Sequence, residues 1–112
     1  MTAATSPAMM DSTTVSRFPG AELVLPGLED LAAGRLTIAA CLVSMARPTI
    51  EKSGLAEGFP PLRYVSAPEQ TLYKLLRAES GDPYGRYNSL SRRLVSFERA
   101  LRRTLSARNP QS

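Results

Sequence analysis

Apolar positions are most regular in the last third of the chain. Tyr84, Tyr87, Leu90, Leu94, Phe97, Leu101 and Leu105 follow one another at steps of three or four. That spacing lines one face of an α-helix, so a long amphipathic helix is expected within 82–109. Asp82 is placed to cap it and Pro83 to fill its first position, where a missing N–H is harmless. Gly85 and Asn88-Ser89 are weak helix formers. A start as late as Ser89 is the alternative, leaving Tyr84, Arg86 and Tyr87 in a surface loop. Tyr87, Leu90, Leu94, Phe97 and Leu101 also form a heptad seam. It ends at Thr104, short of the three to four heptads of a free-standing coiled coil. The stripe is therefore expected to pack on the chain's own core, with a homodimer through those five residues as its other use.

Upstream the pattern is shorter and more often interrupted. Residues 1–20 are rich in Thr, Ser and Ala and read as a flexible tail, with an organelle transit peptide as the alternative. AELVL at 21–25 sits between Pro19-Gly20 and Pro26-Gly27, which suggests a short strand or extended arm. Leu28 to Ala33 then forms one or two helical turns stopped by Gly34. Thr37 is a helix N-cap before a stripe of Ile38, Cys41, Leu42 and Met45. Pro48 ends or kinks that helix and starts a further turn to Ser53, closed by Gly54. Gly58, Pro60 and Pro61 hold an extended connection, and LRYV at 62–65 has strand character. Ser66 and Glu69 have the spacing of a capping box, with Pro68 in the first turn. The helix they open buries Leu72, Leu75 and Leu76 and stops at Gly81. The short link to Asp82 makes the last two helices an antiparallel hairpin. The expected fold is all-α: a small bundle of four to five helices over 21–109, with short extended or β segments at 21–25 and 62–65.

Charge changes this picture in one place. The net charge of +4 is unevenly spread. Residues 86–112 hold seven Arg and one Glu, whereas residues 1–85 hold five Arg and two Lys against nine acids. Behind the apolar stripe, Arg92, Arg99 and Arg103 share a narrow arc, flanked by Arg93 and Arg102. Glu98 precedes Arg102 by four residues, a favourable helix pair. With Arg86, these six arginines are the candidate partner- or phosphate-binding residues. Arg outnumbers Lys twelve to two, a bias that a GC-rich genome also produces without any binding role.

The remaining chemistry is mostly exclusion. The chain has no His and one Cys. That removes zinc sites, histidine-based triads and any intramolecular disulfide, and suits a reducing, cytoplasmic compartment. The carboxylates are dispersed and no Gly-rich phosphate loop is present, so no enzyme and no cofactor are expected. The longest apolar run, 36–46, is too short to span a bilayer. A basic amphipathic helix can also lie on a membrane surface, but this chain needs that stripe for its core.

Thr37 to Leu55 has the outline of a helix-turn-helix, with Arg47, Thr49, Glu51 and Lys52 on its second helix. Ser53 stands where that motif wants an apolar residue, and a kinked core helix is the competing reading. Tyr84 and Tyr87, if exposed, could stack on unpaired bases. The sequence thus points to a small non-catalytic interaction module, accessory, regulatory or inhibitory, presenting a basic helix to an acidic protein surface. Nucleic-acid binding through the same arginines is the alternative.

Overall fold

The computed structural model describes residues 11–79 and 81–108. Among these it is all-α: α1 (Ser12–Val15), α2 (Ala21–Ala33), α3 (Ile38–Met45), α4 (Arg47–Ser53), a 3-10 turn (Leu55–Gly58), α5 (Pro68–Ala78) and α6 (Pro83–Arg108). One apolar core joins them, with Val24, Leu28, Leu31, Leu42, Ile50, Leu72, Leu76, Phe97 and Leu101 fully buried.

The chain folds into helix earlier than the turn signals suggest. The segment 21–25 is no strand: it is the first half of α2, which runs through Pro26 without a break. Ala21, Val24, Leu28 and Leu31 are all buried, at steps of three and four, and that helical period outweighs the Pro-Gly punctuation. Pro26 is exposed, so the Glu22 carbonyl it leaves without an N–H partner faces water.

The expected tail divides in two. Residues 1–10 lie outside the described residues. Residues 12–15 form α1, capped by the Asp11 carboxylate accepting from the Thr14 N–H at 2.8 Å, and Val15 is fully buried. Phe18 packs on Phe97 with ring centroids 5.9 Å apart. Gly20, at φ +85°, lets the chain pass beneath α6. A Cβ there would meet the Arg93 carbonyl oxygen at 2.6 Å.

α2 and α3 cross in close contact at Gly27, where a side chain would strike the Ala39 carbonyl and, at 2.6 Å, Val43 Cγ2. Thr37 caps α3 as expected, accepting from the Ala40 N–H at 3.0 Å. Its hydroxyl also donates to Asp30 Oδ2 at 2.6 Å. α3 meets α4 through the single residue Ala46, and Pro48 stands in the first turn of α4. This is a kinked core helix without the three- to four-residue turn of a helix-turn-helix. Ser53 is buried and closes α4, its Oγ donating to the Ile50 carbonyl and accepting from the Leu55 N–H.

Residues 61–65 form no helix and pair with no strand among the described residues. Arg63 N–H donates to the Leu31 carbonyl at 3.2 Å, and Val65 N–H to Ser44 Oγ at 2.8 Å. With 21–25 helical, the segment spends its N–H groups on helix atoms instead. The Ser66 capping box does not form either. Ala67, at φ +47°, takes the N-cap position of α5, and no side chain caps it. α5 and α6 make the expected hairpin. Tyr73 and Tyr87, at matching distances from the link, meet edge to face at 6.3 Å. Beyond them α6 crosses the start of α2 and then α4. Within it Leu94, Phe97 and Leu101 are buried in this chain's own core, and Tyr87, Leu90 and Leu105 pack against its edge.

No described helix is long and apolar enough to cross a membrane.

Candidate functional site: the arginine face of the last helix

α6 has 26 residues, about 39 Å of helix. It is helical from Pro83, so the later start at Ser89 does not occur and Tyr84, Arg86 and Tyr87 are helical. Asp82 explains the early start. Its carboxylate folds over the first turn, so close that a Cβ on Gly85 would meet Oδ2.

The six candidate arginines do different work. Arg86 is ion-paired with Glu79 at the end of α5. Arg93 is paired with Glu22 at the start of α2, tying α6 down beside Gly20. Such exposed pairs contribute about 0.2–1 kcal/mol each. Arg102 reaches the Thr49 hydroxyl at 3.4 Å, and that hydroxyl donates to Glu98 Oε2 at 3.1 Å. The expected Glu98–Arg102 pair is therefore bridged by a threonine from α4, which sequence spacing gave no means of seeing. These three arginines are part of the fold's outer seam.

Arg92, Arg99 and Arg103 are different. All three are exposed, and none has a hydrogen bond or ion pair among the described residues. Offsets of seven and four residues keep them in one arc, over about 16 Å of helix axis. Ser96 lies within that arc, and Val95 beside it is 40% exposed. The line points away from the core because Leu94, Phe97 and Leu101 fix the rotation of α6. Each guanidinium offers planar donor pairs that match carboxylate and phosphate oxygens.

A second feature lies at the hairpin end, where sequence reasoning had singled out Tyr84 and Tyr87. Tyr84 is 67% exposed, whereas Tyr87 is half-buried against Tyr73. With Glu69, Gln70, Lys74 and Arg77 of α5 they line an open groove of about 610 Å³. The α5 residues were missed as candidates. The signal for them was the short hairpin link itself, which brings the outer edge of α5 beside the first turns of α6.

Other polar groups lie away from this face. Arg47 pairs with Glu51 at 3.1 Å and stacks over the Tyr64 ring at 4.4 Å. Burial, then the Glu51 charge, push the Tyr64 hydroxyl up from its ordinary value, against the opposing pull of Arg47. Cys41 is buried, and desolvation raises its thiol, so it is held as the unreactive neutral form. Among the described residues no three acidic or thiol side chains gather to hold a metal ion.

Comparison with protein-family models, with curated proteins and with solved structures finds no match to this chain.

Proposed function

We propose that this protein is a small non-catalytic interaction module that binds an acidic protein surface through Arg92, Arg99 and Arg103. The observation that carries this reading is the division of labour along α6. Arg86, Arg93 and Arg102 are engaged within the chain, while the three in line have no acid partner among the described residues. An exposed arginine line of that length complements a row of carboxylates on a partner and steers its approach.

Nucleic-acid backbone would offer phosphates to the same donors, and salt dependence separates the two partners. Binding carried by three phosphate contacts to a duplex falls about 40-fold between 50 and 200 mM salt. A protein interface with an apolar centre holds over that range. The test titrates the protein with a fluorescent acidic peptide that carries apolar residues beside its glutamates, duplex DNA and single-stranded RNA across that salt range. The same series is run with the R92E/R99E/R103E variant. The proposal expects the peptide to bind the wild type and not the variant. Peptide binding unchanged by the three substitutions, or steeply salt-dependent binding to nucleic acid alone, would overturn it.

A further inference from the structure

The groove between α5 and α6 offers a second contact, at the hairpin end of α6. Its walls are the rings of Tyr73, Tyr84 and Tyr87, and the surface it offers is overwhelmingly apolar. Its volume is within the range of ligand sites, about 300–1,000 Å³. Lys74 and Arg77 stand at its edge with the single carboxylate of Glu69, so the lining keeps a net positive charge, and neither cation has an ion pair among the described residues. Tyr84 lies eight residues before Arg92, about 12 Å along the axis and about 80° round the helix, so one bound segment reaches both by wrapping partway round α6.

We propose that this groove seats a bulky apolar side chain, aromatic by preference, carried on the acidic partner segment that the arginine line binds. The inference rests on the arginine-line reading for the identity of the partner. Three tyrosine rings give an incoming aromatic both edges and faces to pack on. The free cations at the rim attract the carboxylates flanking such an anchor. A nucleic-acid base fits less well. Its ring edge carries several polar groups that would lose water, and the apolar walls return few hydrogen bonds. In an extended segment roughly five or six residues span the distance from the groove, partway round α6, to Arg92. The partner is therefore a short stretch with one large apolar residue followed by a run of Asp and Glu.

The experiment has two arms, both on the full chain. In the first, N-acetyltryptophanamide, a neutral probe, is titrated while the ring proton signals of Tyr73, Tyr84 and Tyr87 are followed by NMR. Shifts at these rings that Tyr84→Ala abolishes are expected, whatever becomes of the arginine line. In the second, a labelled acidic peptide of about 12 residues with one tryptophan near its start is compared with its twin carrying alanine there. The tryptophan peptide is expected to bind the wild type about tenfold more tightly, and Tyr84→Ala to erase that difference. R92E/R99E/R103E is expected to weaken both peptides alike. Equal binding of the two peptides by the wild type, or no ring shifts with the neutral probe, overturns the groove assignment. An oligothymidylate that shifts the rings and binds more tightly than the tryptophan peptide overturns it in favour of nucleic acid. If the neutral probe shifts the rings while the triple variant binds both peptides normally, the arginine-line reading fails and the groove stands alone. Tyr84 is exposed, so its removal leaves the fold intact, which circular dichroism checks.

Discussion

Gly27 sets the spacing of two helices, and it inverts an ordinary expectation. Alanine in place of a mid-helix glycine normally stabilises by about 0.5–1 kcal/mol. Here the added methyl would strike the Ala39 carbonyl and Val43 Cγ2, and α2 and α3 would have to part. Gly27→Ala is expected to destabilise by about 1–3 kcal/mol, read as a lower urea midpoint. A stabilised variant would mean that the helices do not touch there. Cys41 supplies a pH prediction. Its thiol pKa is raised above the usual 9.0 by burial. Below pH 9 the thiol is neutral in both folded and unfolded states, and its full contribution is present. Above it the unfolded chain ionises while the buried thiol keeps its proton, so stability falls as pH climbs. Tyr64 shifts in the same direction from 10.0 and extends the fall. Urea midpoints measured from pH 7 to beyond 10 are expected to decline, and Cys41→Ala to lose the first part of that decline. A flat profile in the wild type would show the thiol to be exposed. Neither Gly27 nor Tyr64 was legible as special in the sequence, because each owes its role to a residue on another element.

At the scale of elements, the helical periodicity was a sound guide and the punctuation was not. The stripe of α6, the N-cap at Thr37 and the stop at Gly54 were all readable, since each depends on residues a few positions apart. α2 was readable too, from Ala21, Val24, Leu28 and Leu31, had the period been weighed above Pro26-Gly27. The start of α5 was not, because Ala67 adopts a left-handed backbone that nothing in its side chain demands. Thr37 joins local and long-range order. It caps α3 and holds Asp30, which also accepts from Arg35 Nε at 2.9 Å. Thr37→Ala is expected to cost about 1 kcal/mol, and Thr37→Ser to keep most of the stability. Equal urea midpoints for wild type and Thr37→Ala would show the cap to be idle.

For the whole molecule, the question is whether the arginine line is more than a solvated face. The candidate arginines were legible as a set, but their division was not. It depends on Glu22, Glu79 and Thr49, which the fold brings to α6 from three other places. Since Arg92, Arg99 and Arg103 are exposed and hold no partner among the described residues, R92E/R99E/R103E is expected to change stability by no more than about 0.5 kcal/mol per site, checked by thermal unfolding. That makes it a clean probe of binding. The most direct measurement is quantitative affinity capture at physiological salt, from nuclease-treated lysate of cells that make the protein, with wild type and triple variant side by side. Acidic proteins that the wild type retains and the variant does not are the expected result. The same proteins on both, or nothing retained once nucleic acid is digested, would contradict it.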